Sequence, residues 1–267
     1  MKIRFNYYPG GKKKALTMSY DDGQLHDLRL LEIFNRYGIK GTFHLNSDTL
    51  DTEKFVSRAQ VTEAYAGHEI SVHSLTHPFL ERISDEELVH EIVEDRKILE
   101  GLCGYPVRGM SYPFGTYNAA LIGKLRTLGM QYARTVKNSG NFNLPTDFME
   151  WHPTAHHCDP KLMERLEKFK SQKSPMSLFY VWGHSYEFPQ MDNWQVIETF
   201  CAAAANDPDV WYATNIEIFD YVTAMRALRF SADRTMVYNP SAIDVWVEVD
   251  KAPVVCAAGK VTRFDEK

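Results

Sequence analysis

A regular alternation of short apolar runs with longer amphipathic ones narrows the possible folds of this chain most. A buried strand is predicted at 15–20, and a helix from about 25 to 37 stops at Gly38. Further strands are predicted at 41–45, 69–73, 107–112, 132–136, 177–182 and 210–213. Helical patterns lie at 53–65, 84–100, 118–128, 161–171, 193–206 and 216–228. Ser84 with Glu87, and Asp192 with Gln195, have the spacing of a capping box, and Gly101 reads as a helix stop. Seven βα units in succession predict a parallel sheet with helices outside it. No GxGxxG or GxxxxGK[ST] follows the first strand, which counts against a nucleotide-binding open sheet. Polar residues collect after the strand carboxyl ends, where barrels carry their chemistry. The expected fold is α/β, a distorted (β/α)7-type barrel over residues 1–228.

The last stretch, 229–267, has a different rhythm. Ile243, Val245, Val247 and Val249 alternate with Asp244, Trp246, Glu248 and Asp250, the period of a half-buried strand. Segments 253–256 and 261–264 are expected to pair across the turn at Ala258-Gly259. A small antiparallel β appendage packed on the barrel is predicted. With 44% hydrophobic and 24% charged residues, the 267-residue chain has enough apolar material for a sizeable core. A net charge of −5 offers no basic excess for nucleic acid. Four cysteines without a CxxC pair read as reduced thiols. No apolar run suits a signal-peptide core or reaches the roughly 18 residues of a membrane span. A cytoplasmic location is expected, and a trimmed leader is compatible with the same sequence.

Three strand ends carry chemistry. After the first comes Ser19-Tyr20-Asp21-Asp22-Gly23, which alone would be an ordinary Asp-Gly turn. After the third comes His73-Ser74-Leu75-Thr76-His77, whose histidines four apart would share one face of a helical turn. After the sixth comes Trp182-Gly183-His184-Ser185-Tyr186-Glu187. All three fall at one end of the expected barrel. One carboxylate and two imidazoles hold a divalent transition ion and leave positions open for water and substrate. The second carboxylate is then free to act as a base.

These residues resemble the NodB-homology polysaccharide deacetylases, carbohydrate esterase family 4. Residues 17–23 look like the family's first motif, and residues 73–77 like its metal-binding HSxxH. Ser111-Tyr112-Pro113-Phe114-Gly115 resembles the end of its third motif, and His184 sits where its last motif places a histidine. The resemblance implies a distorted barrel and metal-dependent removal of acetyl groups, usually from N-acetylated sugars. It implies Asp21 as general base, Asp22, His73 and His77 as metal ligands, and His184 as the proton donor. The Phe114 backbone N–H would help to hold the oxyanion. Tyr112, Phe114, Trp182 and Glu187 are expected at the substrate, with Glu187, three residues after His184, alternatively placed to orient that imidazole. Zinc is the default ion for such ligands, with Co2+ or Ni2+ as substitutes.

Two departures from the family pattern stand out. Ser111 occupies the place of an arginine that orients the base. Arg108 begins the fourth strand, roughly 13 Å from Tyr112 at about 3.3 Å per residue, so Arg134 near the end of the fifth is the better partner for Asp21. Trp182 replaces a leucine of the acetyl pocket, where it would narrow the pocket or stack on a sugar. The loop 151–157 holds three histidines over the expected active face, and Asn46 is placed to hydrogen-bond substrate. The function expected is N-deacetylation of an amino-sugar carbohydrate. The alternatives are a related barrel hydrolase of small non-sugar amides or cyclic ureides, and a non-catalytic sugar-binding barrel.

Overall fold

The computed structural model describes residues 1–264, so the last three residues of the expected appendage lie outside it. Its central element is β2 (Lys14–Asp22), nine residues buried along almost their whole length. A two-residue β1 (Ile3–Arg4) precedes it. The chain then runs through α1 (Asp27–Tyr37), β3 (Gly41–Leu45), α2 (Arg58–Ala64), β4 (Glu69–Val72), α3 (Asp85–Cys103), β5 (Gly109–Ser111), α4 (Ala119–Thr127) and β6 (Tyr132–Arg134). It continues with β7 (Ala155–His156), α5 (Leu162–Ser171), β8 (Ser177–His184), α6 (Glu187–Gln190), α7 (Trp194–Ala204), β9 (Val210–Tyr212) and α8 (Asn215–Arg226).

The strands are parallel in the order β6-β5-β4-β3-β2-β8-β7, with β9 also pairing the start of β2. Arg134 of β6 is ion-paired with Asp21 of β2, four strand steps away. On a flat sheet those positions would be about 19 Å apart, at about 4.8 Å per step. The sheet therefore curls until its two halves face each other. Segment 151–157, expected to be a loop, closes the gap. Trp151 exchanges backbone bonds with β6 (its N–H to Ala133 O, Thr135 N–H to its O), and Ala155–His156 forms β7 against β8. Its histidine-rich sequence carries no strand signal, because its pairing is decided by the two edges it bridges.

Alternate strand positions separate two environments. Met18 and Tyr20, Phe43 and Leu45, Ile70 and Val72, Met110, and Phe179 and Val181 face outward into the helix-covered core. The opposite positions face the interior and, toward the strand carboxyl ends, are mostly polar. Ser19 Oγ lies 3.0 Å from His44 Nε2, Thr42 donates to Glu69, and the Tyr132 hydroxyl meets Glu69 and Ser71. This hydrogen-bonded interior ends at the strand carboxyl termini.

Several boundaries differ from expectation for local reasons. The helix from Ser84 runs past Gly101 and stops at Gly104 (φ 76°), whose N–H bonds Glu100 O. The 53–65 helix is confined to α2, which does have a Ser57–Gln60 capping box. The Asp192–Gln195 capping box does not form. Asp192 (φ 48°) closes the turn after α6, and α7 starts without a side-chain cap.

At the other end of the barrel lie β10 (Arg229–Phe230), β11 (Met236–Tyr238), β12 (Val245–Val249), β13 (Ala252–Cys256) and β14 (Val261–Arg263). The expected pairing of 253–256 with 261–264 is not seen. Asp250 and Lys251 both have positive φ and make a two-residue hairpin that pairs β13 with β12, while β14 pairs β11. β1 adds to β12. Val237, Val245, Val247 and Cys256 pack with Tyr8, Leu178, Tyr180 and Tyr221 in one buried cluster. Among the described residues no helix is long and apolar enough to cross a membrane.

The Tyr221 hydroxyl links the layers, donating to Tyr7 O at 2.7 Å and accepting from Trp246 N–H at 3.1 Å. Tyr221→Phe should therefore cost about 1–3 kcal/mol in urea unfolding, as one cooperative transition. Separate transitions for barrel and appendage would contradict this shared core.

Candidate metal centre and active site

β2 ends in the sequence Asp21-Asp22-Gly23, and strand alternation turns Asp21 into the interior, where it is 3% exposed. Asp22 has φ 80° and directs its carboxylate to the same mouth. Gly23 follows at φ 73°, where an added Cβ would lie 2.9 Å from Leu45 Cδ2. Ser74 (φ 65°) and His77 (φ 62°) bend the chain after His73. His73 and His77 consequently do not share a helical turn as expected. Two left-handed residues bring their rings to 4.7 Å. With Phe114 at φ 58°, four non-glycine residues of the motifs occupy this sparsely populated region.

The buried face of α3 holds the strained loop. Glu91 accepts from Thr76 N–H and hydroxyl at 2.9 and 2.6 Å, and Asp95 accepts from Ser47 and His73 N–H at 2.8 and 3.3 Å. Asn46 donates to His73 O and Ser74 O, so it is a brace for this loop and, at 2% exposure, not the substrate contact expected of it. Glu91 and Asp95 were missed in the sequence. Their signal is two carboxylates in line with Leu88, Ile92 and Leu99 on the apolar face of α3.

His73 Nε2 lies 3.1 Å from His77 Nε2 and 3.5 Å from Asp22 Oδ1, and His77 Nε2 lies 3.9 Å from the same oxygen. His73 Nδ1 is 3.1 Å from Ser111 O and 2.7 Å from Ser111 Oγ. Donation by Nδ1–H to either oxygen leaves the Nε2 lone pair facing His77 and Asp22. Three donor atoms at these separations fit one face of a coordination sphere with bonds of about 2.0–2.2 Å. The residues present suit a divalent transition ion.

Asp21 is ion-paired through Oδ2 to Arg134 and accepts the Ser111 hydroxyl on Oδ1 at 3.1 Å. Burial alone would raise its pKa, but the Arg134 guanidinium outweighs it, and the carboxyl is held well below the usual range. Arg134 is fully buried, donates to Thr135 O and lies 4.4 Å over the Trp182 ring. Arg108 is elsewhere, in a two-pronged pair with Asp220 of α8. Ser111 thus supplies a hydroxyl to the base while β6 supplies the cation.

His184, at the end of β8, places Nε2 3.9 Å from Asp21 Oδ2 and Nδ1 3.4 Å from Glu187 Oε2. Burial disfavours its charged form, but Glu187, Asp21 and Asp22 outweigh that and raise its pKa. Glu187 also accepts the His184 backbone N–H at 3.0 Å.

Three of the four residues expected at the substrate have other duties. Tyr112 is 1% exposed and donates to Met149 O. Trp182 is 8% exposed, covers Arg134 and donates to Asn138. Glu187 is occupied by His184, His156 and His157. Only Phe114, half exposed, stands at the mouth, stacked on Phe79 at 3.9 Å and edge-on to His77.

Residues 9–133 match the profile of the family described as polysaccharide deacetylase. That match covers a little under half of the chain and takes in Asp21, Asp22, His73, His77 and Phe114. A peptidoglycan-N-acetylglucosamine deacetylase of Bacillus cereus is 28% identical over 105 residues, 39% of this chain and 37% of the relative. Chitin deacetylase 1 of Cryptococcus neoformans var. grubii is 26% identical over 144 residues, 52% of this chain and 30% of the relative. The match therefore spans well under half the length of these curated relatives. Among solved structures, the peptidoglycan deacetylase PdaC of Bacillus subtilis superposes with a TM-score of 0.54 at 17% identity, over 80% of this chain and 93% of that one. The Xyl-CE4 domain of a xylanase from a Trinervitermes trinervoides hindgut metagenome gives 0.51 at 16% identity, over 80% and 92%. These superpositions show the deacetylase fold.

Removing the cation from the buried pair should be costly. Arg134→Met, in chelator, should lose about 3–5 kcal/mol at pH 7. The native pKa of Asp21 lies below its ordinary value of 3.8, so its pairing stabilises above about pH 4 and that contribution fades as pH falls. The gap between native and variant should narrow in urea titrations below pH 4. A constant gap across pH would contradict the pairing.

Proposed function

We propose that this protein is a metal-dependent deacetylase of carbohydrates that contain N-acetylglucosamine. The observation that carries the reading is a face of Asp22, His73 and His77 donors, set beside a second aspartate that Arg134 keeps ionised. Binding alone would not need that second carboxylate. The names of the relatives point to the same class, peptidoglycan-N-acetylglucosamine or chitin.

Asp22, His73 and His77 would hold the ion, and zinc suits two imidazoles and a carboxylate, with cobalt or nickel able to replace it. When bound, the ion supplies Lewis acidity toward the acetyl carbonyl and lowers the pKa of water. Asp21 takes the proton from the attacking water. Its pairing with Arg134 and Ser111 fixes the carboxylate in place and keeps it unprotonated at neutral pH. The Phe114 backbone N–H, carried on its left-handed turn, stabilises the developing oxyanion. His184 gives a proton to the leaving amine, which departs poorly as an anion. Glu187 favours the imidazolium and orients the ring.

Phe114 and Phe79 form an aromatic platform beside the mouth that suits the apolar face of a pyranose.

Acetate release from N-acetylglucosamine oligomers should be abolished by chelation and restored by Zn2+. Asp21→Asn should keep the ion while turnover falls by roughly 10²–10⁴. His73→Ala should lose ion and activity together. Metal analysis beside an acetate assay separates the two, and loss of the ion in Asp21→Asn would reverse the roles of the two aspartates.

A further inference from the structure

On the far side of His184, three potential ligands that the proposed reaction leaves unexplained converge on Glu187, the carboxylate that also orients His184. Glu187 Oε2 is 3.2 Å from His156 Nε2 and 3.3 Å from His157 Nε2, and the Cys158 thiol completes a group whose donor atoms all lie within 4.8 Å of one another. His157 is fully buried, yet neither ring nitrogen has a hydrogen-bond partner of good geometry. A buried polar group left so costs about 1–3 kcal/mol. The fold nevertheless makes room for it. The ring is stacked between Tyr20 and Phe188, and at Gly183 an added Cβ would come within 2.0 Å of His157 Nδ1. A cleft of about 420 Å³, lined by Cys158 and Met191, leads in from solvent.

We propose that His156, His157, Cys158 and Glu187 form a second metal site, separate from the Asp22, His73 and His77 face, for an ion of the Zn2+ or Co2+ class. Two imidazoles, a thiolate and a carboxylate suit this class and not Mg2+ or Ca2+, which prefer all-oxygen shells. A tetrahedral ion with bonds of about 2.0–2.3 Å needs donor separations of about 3.3–3.8 Å, so the group has to contract by about 1 Å at its widest. Cys158 N–H now donates to His156 Nδ1 at 3.2 Å. Ligation through Nε2 moves the ring proton to Nδ1 and releases that amide. An ion here would answer the unpaired nitrogen of His157.

The proposal does not depend on the catalytic reading, and cobalt distinguishes them because only this group contains sulfur. The full chain, stripped by chelator and kept reduced, is titrated with Co2+ alone. Two ions per chain are expected, with the near-ultraviolet charge-transfer band of a cobalt thiolate. Cys158→Ser should remove the band and about one ion, and His156→Gln should weaken binding of the same ion at least 10-fold. His73→Ala should remove the other ion and keep the band. Absence of the band in the native chain, or its survival in Cys158→Ser, overturns the second site. An unchanged ion count in His73→Ala with the band intact would instead contradict the first site and leave the second standing.

Discussion

The buried ion pair between Asp21 and Arg134 is the constraint on which the rest of this structure depends. Neither partner is exposed to more than a trace of water, so each would be costly alone. Their meeting requires β2 and β6 to face each other across a curled sheet, and segment 151–157 holds that curl by bonding to β6 and then to β8. The hydrogen-bonded interior beneath them connects the strands that carry the site. Barrel closure and the ionised state of the base are one physical arrangement.

Around this pair, each motif is shaped by a neighbour distant in sequence. The left-handed turns at Ser74 and His77 are tolerable because Glu91 and Asp95 occupy the backbone donors of the loop and Asn46 its carbonyls. Ser111 links two of the motifs, contacting His73 Nδ1 and donating to Asp21. Glu187 gathers His184, His156 and His157 on one oxygen, so the proposed proton donor and the second cluster share a carboxylate.

The parallel sheet with its helices was legible because apolar runs alternated at fixed lengths. Polar residues at alternate positions of 17–22, 42–46 and 69–73 also mark the inward face. Position along the strands was legible too, since counting residues put Arg134 near the mouth and Arg108 far from it. What could not be read was orientation within a strand end. Tyr112 and Trp182 stand in the motifs but are claimed by Met149 and Arg134, partners set by tertiary contact, and Glu187 takes His156 and His157 besides the His184 that its spacing suggested. The His73–His77 spacing suggested a helix, yet it serves a loop, because spacing does not report φ. The strand at 155–156 was hidden for a similar reason, its pairing being imposed by two edges.

The central claim is that Asp22, His73 and His77 form a metal face with Asp21 kept beside it as an ionised base. Anomalous scattering from a crystal of the full chain soaked with Zn2+ tests it most directly. The account predicts an ion within about 2.0–2.2 Å of Asp22 Oδ1, His73 Nε2 and His77 Nε2, with Asp21 outside bonding distance and still paired to Arg134. An ion bonded to Asp21 in place of Asp22, or no ion at this face, would contradict it.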